Sequence, residues 1–598
     1  MNTANHWRRQ LLTVALEDYY QVGTFNALIQ RKQWYRFESR IEKNTWKTLD
    51  LLDDYKIKAT FFILGWIADQ FPDLVREVAD RGHEIASKGY YHRSIRDMTP
   101  EEFQEDALVS RQALEEAANR RVLGYRVAHE WFQPQDLWAL DVLTQAGYAY
   151  DSSIAPIGRQ YRDEQWRRFP HQHACGDRTL WEFPITTTRI AGLHVPISGG
   201  NYLRQLPQRF LRKRLNSHME KQQVPGVFYF HVWEIDPDQP RITAGGALNR
   251  IRHYRNLDRM EEILRSYFEQ YKFTTIADYM KLDTTLEHDP GTVRVPPQQA
   301  MLRLKGKTSS EFELNIPPEV LKLTKRIPAT IVIPLYNEEL VLPYLGNTLS
   351  SVFERLVTEY ELQFILVDDG SKDRTWEEMR RLFGNQIGFE LVKHDKNRGV
   401  AAAILTGIRH ARTEIVCSID CDCTYDPHEL GRMIPLLKPE VDLVTASPYH
   451  PEGGVRNVPG WRLQLSKMAS RMYRQVLRHK LHTYTSCFRV YRRSKFCDMK
   501  TKYDGYLGVA EMLGLLDVSG GKIVEFPAVL EVRMLGRSKM KTLRTIFGHL
   551  KLMSRLALKR LFPGSTPPAE PPQQQVARRL RELNIEAVAE KLKVGSNY

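Results

Sequence analysis

The sequence predicts an α/β protein built as two domains in tandem. Three observations carry that prediction. Short apolar runs of strand type alternate with longer helical stretches over residues 10–285. The same alternation returns over residues 327–562. Between them the chain changes character, with Asp289-Pro-Gly291 and Val295-Pro-Pro-Gln-Gln299 in a segment poor in apolar residues, which reads as a linker over 286–326.

In chain order, Leu11–Leu16, Ala59–Leu64 and Val227–His231 read as strands of the first domain. Asn44–Tyr55 and Pro100–Ala118 read as helices between them. In the second domain Ala329–Pro334 is a buried-type strand ending in Leu-Tyr-Asn-Glu-Glu, with Asn337 placed to cap the next helix. Phe364–Val367 is a further strand, followed by Asp368, Asp369, Gly370 and Ser371. Ser371 and Asp373 are placed to cap a helix starting near Arg374. Arg398 and Gly399 precede an alanine-rich helix from Val400, offering positive charge and close backbone approach to phosphate. The βαβαβ order favours a parallel sheet whose carboxyl edge binds a ligand. The tail over 563–598 reads as a Pro/Gln-rich disordered spacer, then a short polar helix.

The most informative chemistry lies in Ile415-Val-Cys-Ser-Ile-Asp-Cys-Asp422. An apolar run ends in two carboxylates one residue apart. In an extended segment such residues face the same way, so Asp420 and Asp422 can share one hard cation, Mg²⁺ or Mn²⁺, that leaves sites open for substrate phosphates.

The chain has 598 residues and a net charge of +14, which suits anionic partners such as nucleotide diphosphates or anionic lipid. Its six cysteines do not resemble a secreted disulfide framework. No signal peptide and no run long enough to span a membrane is visible, so the expected location is cytoplasmic, with peripheral contact at the inner face of the membrane. That contact would come from 542–562, where Leu543, Ile546, Phe547, Leu550, Ala557 and Leu561 follow helical spacing among basic residues. No aromatic-interleaved basic motif or Cys/His finger points to nucleic acid.

Several strings in the second domain resemble family-2 glycosyltransferases of the GT-A fold, most closely the polyprenyl- or dolichyl-phosphate sugar transferase branch. They are Ile333-Pro-Leu-Tyr-Asn-Glu-Glu339, Val367-Asp-Asp-Gly-Ser-Lys-Asp373, Asn397-Arg-Gly399, Asp420-Cys-Asp422, Thr485-Ser-Cys-Phe-Arg-Val-Tyr-Arg492 and Gly536-Arg-Ser-Lys539. The resemblance implies a Rossmann-like nucleotide-sugar domain. Pro334, Tyr336, Glu338, Asp368, Asp369, Arg398 and Gly399 would lie near the nucleotide, and Asp420 and Asp422 would hold the metal and diphosphate. Arg533, Arg537 and Lys539 would approach phosphate, and Arg489 and Glu511 would line the acceptor side, Glu511 and Asp422 as catalytic groups. It implies a nucleotide-sugar donor and a polyprenyl-phosphate or glycan acceptor. Cys487 stands where that branch has glycine, and Thr483 where it often has an acid.

The first domain resembles NodB-like polysaccharide deacetylases through Leu16-Glu-Asp-Tyr-Tyr20, Gly82-His-Glu-Ile-Ala-Ser-Lys-Gly-Tyr-Tyr-His92, Gly124-Tyr-Arg126, Tyr150-Asp-Ser-Ser153 and Phe230-His-Val-Trp-Glu-Ile-Asp-Pro-Asp-Gln-Pro240. The resemblance implies a distorted (β/α) barrel in which Zn²⁺ or a similar ion is held by Asp18 and His92, with Glu17 catalytic. Lys88 replaces the first motif histidine and Ala15 the leading acid, departures that count against the ion and favour a silent sugar-binding or scaffolding domain. The leading expectation is therefore a sugar transferase of polysaccharide or glycolipid synthesis with a fused deacetylase-like domain. The alternative is a metal-dependent N-deacetylase whose transferase-like half binds the glycan.

Overall fold

The computed structural model describes residues 8–25, 28–286, 326–458, 460–536 and 542–561, with the backbone alone at 461–462 and 542–546. Apart from residues 286 and 326 the expected linker lies outside the described residues, as does the whole of the expected tail.

The first half is a distorted (β/α) barrel. Its strands are β1 (Arg9–Leu16), β2 (Thr60–Ile63), β3 (Glu84–Ser87), β4 (Gly124–Tyr125), β5 (Tyr150–Asp151), β6 (His171–Cys175), β7 (Arg178–Glu182), β8 (Thr187–Ile190), β9 (Leu193–Pro196), β10 (Val227–His231) and β11 (Lys272–Thr274). They form a nine-stranded sheet in the order β10–β1–β2–β3–β4–β5–β7–β6, with β11 also paired to β1, while β8 and β9 make a separate hairpin. The run β10 to β5 is parallel throughout. The ring closes through an irregular stretch: Ile197 N–H donates to Thr186 O at 3.1 Å and Tyr229 N–H to Ser198 O at 3.1 Å. β1 is buried along all but its first residue. That is why it reads as a continuous apolar run and not as an alternation.

The helix Pro100–Ala118 has the limits its sequence signals set. Thr99 and Glu102 form a reciprocal capping box, and Asn119 ends the helix in the left-handed region at φ +50°. The helix expected over Asn44–Tyr55 begins earlier, at Ile41, whose side chain is buried.

The second half carries β12 (Ile327–Leu335), β13 (Tyr360–Asp368), β14 (Phe389–Lys393), β15 (Ile415–Ser418), β16 (Leu443–Ser447), β17 (Gly454–Arg456), β18 (Arg489–Arg492), β19 (Ile523–Pro527) and β20 (Val529–Glu531). Seven of them form one sheet, ordered β14–β13–β12–β15–β18–β16–β19. β14, β13, β12 and β15 are mutually parallel, and β18 runs antiparallel between β15 and β16. This is the Rossmann-like arrangement expected of the GT-A fold. Two capping expectations need correction. Asn337 does not cap a helix: it adopts φ +53° and its Oδ1 accepts from Lys372 N–H at 2.7 Å, while the next helix begins only at Leu342. Ser371 accepts from Asn337 N–H at 2.8 Å and is spent there, leaving Asp373 alone to hold the Thr375 N–H at 3.0 Å.

The halves are joined by specific contacts. Arg36 reaches Asp426 at 2.7 Å, the Phe37 and Tyr344 rings meet edge-on at 5.2 Å, and Gln33 hydrogen-bonds Glu531. Ile242 pairs antiparallel with Leu535, and Thr243 N–H donates to Met534 O at 2.8 Å.

Candidate functional sites

The carboxyl ends of β12, β13 and β15 open onto a cavity of about 1160 Å³. Pro334, Tyr336 and Glu338 enter it from the end of β12, Asp369 from β13, Gly399 from the loop before the helix Val400–His410, and Asp420 and Asp422 from beyond β15. Four motif segments far apart in sequence thus meet because parallel strands end at one edge.

Asp420 and Asp422 share the cavity, but not through strand alternation. β15 ends at Ser418, and the chain turns so that Cys423 N–H returns to Asp420 O at 3.0 Å, with Cys423 at φ +50°. The turn, and not the pleat, brings the acids together. Burial, then the neighbouring Asp422, pushes the Asp420 carboxyl up to about 7. Cys487, the residue in the glycine's place, hydrogen-bonds Asp420 and partly offsets that rise. Arg533 lies 3.5 Å from Asp422 and pairs with Glu338. Crowded, desolvated carboxylates in a cavity are a donor set that fits a hard cation completed by substrate oxygens. Among the described residues no group of three or more His, Cys, Asp or Glu could hold a metal by protein ligands alone.

Asp369 organises the nucleotide-side loop. Its carboxylate accepts from His394 Nδ1 at 2.7 Å, Asn397 Nδ2 at 3.0 Å, Arg398 N–H at 2.9 Å and Gly399 N–H at 2.6 Å. Gly399 takes φ +114°, and a Cβ there would collide with the Asp504 carbonyl.

Four expected substrate residues do not reach the cavity. Asp368 is fully buried and accepts from Ser371 N–H at 3.0 Å, a turn function. Arg398 contributes only its backbone N–H, its side chain being exposed. Arg489 is fully buried, donating to Val509 O at 2.7 Å and Tyr484 O at 2.8 Å. Glu511, expected to be catalytic, is fully buried and accepts from Lys502 N–H at 2.8 Å, Tyr503 N–H at 2.9 Å and Arg555 at 2.8 Å. It ties a loop to two helices. Arg537 and Lys539 lie outside the described residues. The sequence reading quoted Asn397 in a motif without giving it a role, it missed Tyr506, Asn457 and Glu531, all on the lining, and it missed Thr243–Gly246 and Arg250 from the first half. No local pattern marks the latter, because their place depends on how the halves pack.

The second site is a cavity of about 250 Å³ at the carboxyl ends of β1, β3, β4 and β10, lined by Glu17, Lys88, His92, Arg126 and His231 among others. Glu17 is buried and pairs with the Lys88 ammonium, with His231 Nδ1 at 2.7 Å and His92 Nε2 at 3.5 Å. Burial alone would raise its carboxyl; Lys88, then His231, outweigh burial and hold it well below the usual range. His92 is pushed down to about 4, chiefly by burial. Asp18, expected as a ligand, faces away: it accepts from Ser39 Oγ and Arg40 N–H, both at 2.9 Å. Lys88 therefore supplies the positive charge at Glu17, and the residues present do not fit a zinc ion. Glu17 is bound up in this ion pair, not free to activate water.

Residues 330–499 match the model of Glycosyl transferase family 2, residues 29–150 that of Polysaccharide deacetylase, and residues 152–281 a domain of unknown function, DUF3473. The chain joins a polysaccharide deacetylase domain to a family-2 glycosyl transferase domain. The transferase domain is 28% identical over 229 residues to a dolichol-phosphate mannosyltransferase of Pyrococcus furiosus, covering 38% of this chain and 63% of the relative. It is 29% identical over 231 residues to a polyprenol monophosphomannose synthase of Mycolicibacterium smegmatis, covering 37% and 84%. The chain thus spans less than two thirds of the archaeal relative's length. A solved mannosyltransferase from Pyrobaculum calidifontis, in complex with GDP-Man and Mn²⁺, is 20% identical with a TM-score of 0.28, covering 42% of this chain and 71% of that one.

Proposed function

We propose that the second half transfers a sugar from a nucleotide-diphosphate donor to a polyprenyl-phosphate acceptor, and that the first half is a catalytically silent deacetylase relative. The observation that carries this is the convergence of Asp420, Asp422 and Arg533 on one large cavity at the sheet's carboxyl edge. We divide the chain into a deacetylase-like domain (10–285), a linker (286–326), a transferase domain (327–562) and a tail (563–598). The curated relatives named above are prenol-phosphate mannose enzymes, which supports the acceptor class.

The donor diphosphate lies against the 397–399 loop, where Asp369 fixes the backbone. Asp420 and Asp422 would hold Mg²⁺ or Mn²⁺, which when bound neutralises charge on the diphosphate. An acceptor phosphate oxygen forms the new bond to the anomeric carbon as the bond from that carbon to the diphosphate oxygen breaks. The electron pair leaves with the nucleoside diphosphate, and the configuration inverts. Arg533 stabilises the departing charge from a fixed position. A phosphate monoester is already ionised near neutral pH, so it attacks without a protein base. That accounts for a cavity into which Glu511 does not reach.

No described helix is long and apolar enough to cross a membrane. The helix Thr542–Leu561 packs inward through Leu552, Met553 and Leu556 and shows Phe547 (75% exposed), Leu558 (59%) and Leu561 (70%) to solvent. An apolar ridge among lysines and arginines suits peripheral docking on an anionic leaflet at the inner face of the membrane.

The test is sugar transfer by the full chain from a panel of nucleotide sugars with Mn²⁺ to undecaprenyl phosphate. Asp422→Ala should lower turnover by at least about a hundredfold. Undiminished turnover would remove the transferase role.

A further inference from the structure

The wall of the transferase cavity is not made by the transferase half alone. Leu28, Thr243, Ala244, Gly245, Gly246 and Arg250 of the deacetylase-like half also line it. Their position is fixed by backbone bonding. Thr243 N–H donates to Met534 O at 2.8 Å and its Oγ1 to Gly536 O at 2.7 Å, with Ile242 bridged antiparallel to Leu535. Ile242 and Ala244 are buried beside Met534 and Leu535. This strap grips the segment that follows Arg533, whose Nε donates to Leu535 O at 2.6 Å. Tyr254 Oη accepts from Ile242 N–H at 2.8 Å, which ties the helix Ala247–Tyr254 to the strap.

That helix brings Arg250 to the cavity. The other cation on the lining, Arg533, is engaged by Glu338 and Asp422. Arg250 makes no ion pair with a described carboxylate and faces a lining that includes Asp420, Asp422 and Glu531. A planar guanidinium on the lining of the cavity suits the phosphate of an incoming acceptor.

We propose that the deacetylase-like half completes the acceptor site: Arg250 binds the phosphate of an isoprenyl phosphate. The inference rests on the transferase reading and deepens it. It also gives a barrel without a metal-competent site a function in the reaction. The donor meets the strand ends of the transferase half, whereas the acceptor is received from across the domain boundary.

The test measures binding of farnesyl phosphate, farnesol and inorganic phosphate to the full chain by calorimetry, with thermal shift by nucleotide sugar and Mn²⁺ as a separate readout. Arg250→Ala should weaken farnesyl phosphate about tenfold or more while farnesol binding stays equally weak in both proteins. Equal farnesyl phosphate affinity in wild type and Arg250→Ala, no binding by wild type, or inorganic phosphate competing as well as farnesyl phosphate would overturn the assignment. Because Arg250 is exposed, its unliganded melting temperature reports whether the variant folds. Loss of the nucleotide-sugar shift in wild type would instead sink the transferase reading, independently of the lipid result.

Discussion

The Lys88 ammonium pairs with the Glu17 carboxylate inside the barrel, both side chains nearly excluded from solvent. Lysine at this position makes the barrel self-neutralising: the carboxylate in its cavity already has its counter-charge. Lys88→Met should leave a buried carboxylate helped only by histidines and cost about 3–5 kcal/mol, and Glu17→Gln in the same chain should restore most of that. Denaturant melts of the two single variants and the double variant check it. Full-length protein dialysed against Zn²⁺ should retain no stoichiometric ion in the barrel and release no acetate from N-acetylated glycans.

Glu511 is a structural carboxylate. Removing it strips the acceptor from two backbone N–H groups and from Arg555, so Glu511→Ala should lower stability by about 2–5 kcal/mol. Below the melting temperature the folded fraction should still turn over donor. A variant with native stability and no turnover would restore the catalytic role.

The exposed ridge of the helix Thr542–Leu561 can be altered without touching its packed face. Phe547→Ser combined with Leu558→Ser removes apolar area that is mostly exposed. Flotation with phosphatidylglycerol vesicles should show about a tenfold or larger loss of binding, with melting unchanged. Unaltered flotation would move the membrane contact elsewhere.

His83 makes the first half sensitive to acid. It is buried, its Nδ1 accepts from Ala59 N–H at 3.2 Å, and burial, then Lys58, pushes its value down to about 4. The folded value lies below the unfolded one of about 6.5, so the unfolded chain takes up the proton first. Stability is full above that pH and falls as pH drops toward 4, by up to about 3 kcal/mol for this residue. His83→Asn keeps an acceptor for Ala59 and cannot titrate. Melting temperatures between pH 7.5 and 5 should therefore fall less steeply in the variant, and an identical slope would refute the assignment.

Local sequence determined the parts. The apolar run Ala329–Pro334, the capping signals of Pro100–Ala118 and the acids at 420 and 422 could be read because strand burial, helix capping and strand-end chemistry act over a few residues. Lys88 in place of a histidine was legible for the same reason. Only the tertiary structure decided which charges face a cavity. Glu511, Arg489 and Asp18 have the right chemistry, yet each is turned into backbone hydrogen bonds. Arg250, with no motif around it, reaches the transferase cavity because the pairing of Ile242 with Leu535 carries it there. Side-chain type is written locally, but the direction it points and the partner it meets are set by long-range packing between two halves of the chain.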